Sequence, residues 1–270
     1  MIERPQEPEN NEQRYLGLTA GQLNGGFLAV VGIVVAGVCA WLFLLGGIDT
    51  VTGKKETDQT AFVAQQTANR AILTLADLPE GWKARLPGDA DDDFEFAFSE
   101  RCKALAQDTF AGEIATAKSD DLRAPSGQTV NSDASVFAGD SAAGEALATF
   151  SGALSCRHEM VAAMTEALRQ SLAEEGVDPA SVQVNASFDQ VTTPNLGDAT
   201  GAMYRLAAGV QVSDRQVSFT IDLLVFRHGR MVGQLVYTAI DSPASAEEQQ
   251  QVAGLAVAKL VAASALLPEA

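Results

Sequence analysis

Residues 217–240 read VSFTIDLLVFRHGRMVGQLVYTAI, two runs of β-branched and aromatic residues that meet at Arg227-His228-Gly229. Runs of this kind on both sides of a short turn that contains glycine are typical of an antiparallel hairpin. Gly229 suits the left-handed position of such a turn, because it has no Cβ atom to clash. The segment therefore predicts two paired strands.

The register of this hairpin follows from the loop length. A three-residue loop would pair Phe226 with Arg230 and keep one face of the hairpin apolar, so we predict that register. A two-residue loop would instead set Leu223 against Gln234 and Leu235 against Asp222. The predicted pairing places Val225, Leu223, Ile221 and Phe219 opposite Met231, Gly233, Leu235 and Tyr237.

The segments on either side extend the same pattern. Residues 182–188 alternate apolar and polar side chains, and residues 202–212 form another largely apolar run. Together with the hairpin they predict four antiparallel strands. Residues 245–267 are rich in Ala and Leu and begin with Ser245, which predicts a capped closing helix on the sheet.

The middle of the chain changes to helical spacing. We predict helices over residues 143–154 and 158–175, with Asp140 as an N-cap and Gly176 as the residue that ends the second helix.

Shorter features precede these helices. Alternation at residues 94–98 predicts a short strand, and Val136 and Phe137 are expected to open another. Residues 119–133, with their Pro, Gly, Ser and Asp, are expected to form a loop.

A helix over residues 61–75 leads into the turn Asp77-Leu78-Pro79-Glu80-Gly81-Trp82. Pro79 fixes the backbone, Gly81 permits a sharp turn and Trp82 offers a large apolar face to a core, so we assign these three residues structural roles. The expected fold class is α+β, with a curved antiparallel sheet of about four to six strands packed by helices.

Residues 27–48 are almost wholly apolar. As a helix they would span about 33 Å, enough for a bilayer core of about 30 Å. A cleaved signal peptide would have a shorter apolar region and a basic leader, which this chain lacks. We predict a cytoplasmic tail (residues 1–26), a transmembrane helix (27–48), a juxtamembrane linker (49–60) and a folded domain (61–270).

Gly32 and Ala36 within the span would also allow close approach of a second helix and a weak homodimer. Outside the span only Cys102 and Cys156 remain, a pair that can close a disulfide in an oxidising compartment. The pair places the C-terminal domain on the extracytoplasmic side and the N-terminus in the cytoplasm.

Composition excludes several functions. The net charge of -17 argues against a nucleic-acid partner, because binding a polyanion needs clustered Lys and Arg. The sequence has only two histidines, His158 and His228, and it has no nucleophile elbow, zinc-protease pair, P-loop or dinucleotide fingerprint. We therefore predict no catalytic residues, no cofactor and no enzymatic activity.

One acidic segment has the spacing of a calcium loop, in which carboxylates alternate and a glutamate closes the loop. Phe94 occupies the position where that loop needs glycine, so we predict an acidic surface turn and no metal site. The residues concerned are Asp89, Asp91, Asp93, Glu95 and Glu100.

The chain resembles bacterial extracytoplasmic sensor domains of receptor-type serine/threonine kinases of the PknH type, and related secreted or lipoprotein modules. The resemblance rests on Leu75 to Trp82 (LADLPEGW), on the helix that leads to Ser155-Cys156 and on the hairpin 225–230. It implies an α+β domain that binds ligands and does not catalyse. The kinase sensors carry more than one disulfide and a kinase domain, whereas this chain has two available cysteines and a short N-terminal tail.

We therefore expect a membrane-anchored ligand-binding or sensor-like module, held in the cell membrane by residues 27–48. Its partner would be a small molecule or an envelope protein, neither of which the sequence identifies. The alternative is a structural or assembly partner of another envelope protein.

Overall fold

The computed structural model describes residues 55–85, 99, 102, 110–174, 176–212, 215–241 and 243–268. The predicted cytoplasmic tail (1–26) and membrane-spanning helix (27–48) lie outside these residues. Within the described part of the chain, no helix is both long enough and apolar enough to cross a bilayer. The membrane anchor therefore stays a prediction.

An antiparallel sheet of eight strands can be traced in the described residues. The strands are β1 (Lys83–Arg85), β2 (Glu113–Lys118), β3 (Asp121–Arg123), β4 (Thr129–Phe137), β5 (Val182–Val191), β6 (Thr200–Val212), β7 (Arg215–His228) and β8 (Met231–Ile240). They lie in the order β1-β3-β4-β8-β7-β6-β5, and β2 pairs with β4. The long strands β4, β8, β7 and β6 therefore form the centre of the sheet.

The sheet is larger than the predicted four to six strands, and the difference lies mainly in residues 119–133. This predicted loop contains β3 and the first part of β4. Val136 and Phe137 end a nine-residue strand and do not open a short one. β4 buries Val130 and Ala134 on one face. Its other face is polar, and this polarity made the segment look like a loop.

The predicted register of the β7–β8 hairpin is wrong. Phe226 pairs with Gly233 and not with Arg230. The two strands are joined by a two-residue loop, Gly229 and Arg230, with Gly229 in the left-handed region at φ 55°. Two-residue loops of this kind match the natural twist of paired strands.

The alternative register considered above is also wrong, because Leu223 pairs with Val236 and not with Gln234. The physical reason is that β7 is buried on both faces. Leu224 packs on one side of the sheet, while the side chain of Val225 packs on the other. A preference for one apolar face therefore carried no information about the pairing.

Four helices are described: α1 (Lys55–Ala71), α2 (Asp140–Ser151), α3 (Arg157–Glu174) and α4 (Ala246–Ser264). α1 begins inside the predicted linker (49–60) and ends before residue 75. Asp140 is the first residue of α2, after the N-cap Gly139, and so is not the cap itself. Ser245 caps α4 as predicted, because its side chain accepts a hydrogen bond from the Glu248 amide, 3.1 Å away.

Helices cover both faces of the sheet. α1 and α4 pack on one face, over a core that includes Leu224, Phe226 and Leu235. α3 packs over β5 to β7 on the other face, and α2 packs there on Phe137, Val225 and Val232. Gly176, with φ 80°, ends α3 as predicted.

α1 runs antiparallel to β4. The Gln65 side chain donates a hydrogen bond to the carbonyl oxygen of Thr116, which pairs with Ser135, and the Leu73 amide donates one to the Ser132 hydroxyl. The N-terminus of α1 therefore lies at the end of the sheet that carries the β7–β8 loop.

Candidate functional site

The two cysteines expected to pair do form a disulfide. Cys156 ends a 3-10 helix, Gly152–Cys156, just before α3, and the Cα atoms of Cys102 and Cys156 are 5.7 Å apart. Nearby, the amide and hydroxyl of Ser99 both donate hydrogen bonds of 2.8 Å to the Glu159 carboxylate. Ser99 and Cys102 are thus both bonded to residues at the beginning of α3.

The three residues given structural roles near Leu78 lie in one turn. The Trp82 amide donates a hydrogen bond to the Pro79 carbonyl oxygen, 3.5 Å away, and Gly81 between them has φ 97°. Trp82 is half-buried and packs against the core beneath α1 and α4. A Cβ atom on Gly81 would also lie 3.0 Å from the Pro125 ring.

The predicted acidic turn at residues 89–100 lies outside the described residues except for Ser99. Among the described residues, no group of three or more His, Cys, Asp or Glu side chains is placed to hold a metal ion. His158 is exposed on α3, and His228 ends β7 at the hairpin. Of the candidates derived from the sequence, the described residues thus show a disulfide and two turns.

A different group of residues forms the candidate site. We call it the β4 polar strip, and it lies on the sheet face that also carries α2 and α3. Alternate residues of β4 point to this face, and their partners on β2 and β8 add further polar side chains. The strip consists of Thr116 and Lys118 on β2, Asn131, Asp133 and Ser135 on β4, and Gln234 on β8.

Asp133 lies at the centre of the β4 polar strip, directly opposite Lys118 on β2 and Gln234 on β8. Asp133 is half-buried, and among the described residues no ion pair or hydrogen bond joins its carboxyl group. Burial raises the pKa of Asp133 to about 7; the Lys118 charge acts to lower this pKa and the Glu113 charge to raise it. Near neutral pH the group is therefore a carboxyl that can gain or lose its proton.

Asn131, two residues before Asp133 on the same face, also lacks part of its hydrogen bonding. Its Nδ2 atom donates to the Asp121 carboxylate at 3.1 Å. Its Oδ1 atom is buried and accepts no hydrogen bond in the described structure. Because a buried acceptor without a donor costs about 1–3 kcal/mol, this oxygen favours any ligand that brings a donor.

The other side chains of the strip are better satisfied. The Ser135 hydroxyl lies 3.3 Å from the Glu113 carboxylate and 3.2 Å from the Thr116 hydroxyl. In the strip, the acceptors that receive no hydrogen bond from a described residue are therefore two neighbours, Asp133 and Asn131. Such an arrangement can bind a hydrogen-bond donor, and its described residues offer no nucleophile–base pair for catalysis.

A second polar cluster lies on the opposite face, beneath α4. Asp222 is 1% exposed and accepts bonds of 2.6 and 2.7 Å from the guanidinium of Arg205. The Gln249 side chain donates to the same carboxylate at 2.7 Å, and the Tyr237 hydroxyl donates to the Gln249 carbonyl oxygen at 3.2 Å. These bonds satisfy the buried carboxylate, so we assign this cluster to holding α4 on the sheet.

Sequence reasoning missed the β4 polar strip because residues 119–133 were expected to form a loop. The alternation of Val130, Ala134 and Val136 with polar residues was the signal that could have revealed β4. Even then, the sequence could not have shown that the Oδ1 atom of Asn131 lacks a donor, because this depends on the pairing of β4 with β3.

Comparison with known proteins gives a limited result. No family model matches the chain, and no curated protein matches it. Among solved structures, the chain is similar to a kinase extracellular domain. That structure is the extracellular domain of PknH from Mycobacterium tuberculosis, at 12% identity and a TM-score of 0.38, covering 74% of this chain and 97% of that one. The resemblance is weak and concerns structure alone.

Proposed function

We propose that this chain is a membrane-anchored, extracytoplasmic ligand-binding or sensor-like module without catalytic activity, and that the β4 polar strip binds its ligand. The observation that carries the binding role is a pair of acceptors, Asp133 and the Oδ1 atom of Asn131, to which no described residue donates a hydrogen bond. One acceptor is half-buried and the other buried, so a ligand that supplies hydrogen-bond donors would stabilise both.

Two features support the location. Residues 27–48 are apolar over a length that matches a bilayer core. The bond between Cys102 and Cys156 is of the kind that persists in oxidising compartments. Both favour a domain held outside the cytoplasm by an N-terminal helix.

Native mass spectrometry tests the binding role, using the full chain purified from its own host in lipid nanodiscs. We expect a retained small molecule that is lost in Asp133→Asn. Asp198→Asn removes a charge from an exposed loop and serves as the matched control, which should keep the molecule. A wild-type chain that carries no extra mass would contradict the proposal.

The location has its own test. The test uses cells whose outer envelope layer has been made permeable while the cytoplasmic membrane stays intact. In these cells, a tag at the C-terminus of the full chain should react with a membrane-impermeant label. A tag that reacts only after the cytoplasmic membrane is broken would place the domain inside the cell and overturn the topology.

One observation favours the alternative role as an assembly partner. Phe62, on α1, is 62% exposed, and Leu266, just after α4, is 49% exposed. A photo-crosslinking residue at position 62 of the full chain should capture an envelope protein if α1 docks on one. The same residue at position 60, exposed on the other side of α1, is the control and should capture none.

A further inference from the structure

We infer that the β4 polar strip takes a primary ammonium group, with the Asp133 carboxylate as counter-ion and the Oδ1 atom of Asn131 as a second acceptor. The inference rests on the proposed function and specifies the ligand class of the same site.

The first step concerns what is missing from the site. The two groups that receive no hydrogen bond from a described residue, the Asp133 carboxylate and the Oδ1 atom of Asn131, are both acceptors. A ligand for them must therefore donate hydrogen bonds. Lys118 lies opposite Asp133 but is exposed and forms no ion pair with it among the described residues. Within the part of the chain that the structure describes, Asp133 therefore has a cation nearby and none in contact.

The second step concerns geometry. Asn131 and Asp133 are alternate residues of one strand, so their Cα atoms are about 7 Å apart and their side chains point to the same face. Gln234 faces Asp133 across the pair, where directly opposed Cβ atoms lie about 5 Å apart. An ammonium group has three donors, with charge-assisted bonds of about 2.8 Å, and so fits three acceptors arranged in this way.

The third step excludes other ligands by charge. Glu113 and Asp121 flank the strip, and the chain has a net charge of -17, so an anion would be repelled. A calcium ion needs about six or more oxygen ligands, whereas the described residues hold no carboxylate cluster that could supply them. A neutral alcohol would satisfy an acceptor but would leave the Asp133 charge without a counter-ion.

Binding should depend on pH through Asp133. The charged groups that face it are Lys118 and Glu113 on β2, and β3 carries Asp121 and Arg123 further along the same edge of β4. Since an ammonium group needs the ionised carboxylate, affinity should rise between pH 6 and pH 8 and then level off.

The probe is n-propylammonium, titrated into the full chain in nanodiscs at pH 8 and followed by saturation-transfer NMR. We expect saturable binding that falls at least tenfold in Asp133→Asn and several-fold in Asn131→Ala, and that is unchanged in Asp198→Asn. Circular dichroism of each variant confirms that it is folded. Asp133→Asn keeps the side-chain shape and removes a buried charge, so folding is expected.

Tetramethylammonium carries the same charge without any N–H donor, and n-propanol is the neutral counterpart. Both should bind at least tenfold more weakly than n-propylammonium. Equal binding of tetramethylammonium, unchanged binding in Asp133→Asn, or displacement by calcium would overturn the inference. A host-derived molecule lost in Asp133→Asn but not displaced by n-propylammonium would leave the binding function standing and reject only the ammonium class.

Discussion

The ring of Phe226 on β7 lies against the backbone of Gly233, its paired residue on β8, so closely that a Cβ atom at position 233 would be 2.5 Å from the ring. The absence of a side chain at position 233 is therefore what admits the ring into the core beneath α1 and α4. This contact belongs to the observed register and would be lost in a hairpin that pairs Phe226 with Arg230.

Gly233→Ala should consequently destabilise the domain by about 2 kcal/mol, because the new methyl group overpacks a buried contact. Gly254→Ala is the matched control, since that glycine is exposed on α4 with open space around its Cβ position. The control should be neutral or stabilising by about 0.5 kcal/mol, because alanine favours helix. Urea denaturation measures both, and equal effects would argue against the observed pairing.

The buried ion pair of Asp222 gives a second prediction. Asp222→Asn should cost about 3 kcal/mol, because it leaves the Arg205 guanidinium partly buried without its counter-charge. The Arg157–Asp189 pair has a similar distance of 2.6 Å, but its side chains are 49% and 46% exposed. Asp189→Asn should cost less than about 1 kcal/mol by the same thermal or urea measurement. A larger loss in the exposed pair would contradict this ranking.

The disulfide gives a third prediction. The sequence separation of Cys102 and Cys156 is 54 residues, and the chain-entropy relation for a loop of that length gives about 4 kcal/mol. The double variant Cys102→Ser/Cys156→Ser should lose stability of this order relative to the oxidised protein. Wild-type protein treated with a reductant is the control and should fall to the same level. Peptide mapping without reductant that recovers both thiols unpaired would refute the bond.

A fourth prediction follows from Asp133. Its pKa in the folded state is about 7, above the ordinary value of 3.8 for an aspartate, so between these values the folded protein holds more protons than the unfolded chain. The contribution of this group to stability is therefore largest at acidic pH and declines as pH rises towards 7, by at most about 1.4 kcal/mol per pH unit.

The Asp133→Asn variant should not show this decline. Its free energy of unfolding minus that of the wild type should therefore increase from pH 5 to pH 8. Asp198→Asn is the control, and its free energy of unfolding relative to the wild type should change little between pH 5 and pH 8. A wild-type profile parallel to that of Asp133→Asn would show that Asp133 titrates near its ordinary value.

Some of the fold follows from local patterns. The last third of the chain shows strand alternation and then helix composition over long segments, and Ser245 and Gly176 mark helix ends by their own chemistry. These features depend on neighbouring residues, so the sequence was sufficient to locate β5 to β8 and α4. The Cys102–Cys156 pair was predictable for a different reason, because only two cysteines lie outside residues 27–48.

Other features depend on contacts that are remote in sequence. β4 carries Asn131, Asp133 and Ser135 on one face, and their polarity resembles that of a loop until β2 and β8 are known to flank it. The hairpin register depends on helices covering both faces of β7. The candidate site falls in the part of the sheet that could not be foreseen, because it exists only where β2, β4 and β8 meet.

The direction of α1 has a consequence for how the domain would stand in the cell. Its first residue, Lys55, lies at the same end as the β7–β8 loop, and the Arg230 side chain there also binds the carbonyl oxygen of Pro268 near the C-terminus. With residues 27–48 embedded in lipid, six residues would separate the anchor from Lys55, so the end of the sheet that carries the β7–β8 loop would be the end held near the membrane.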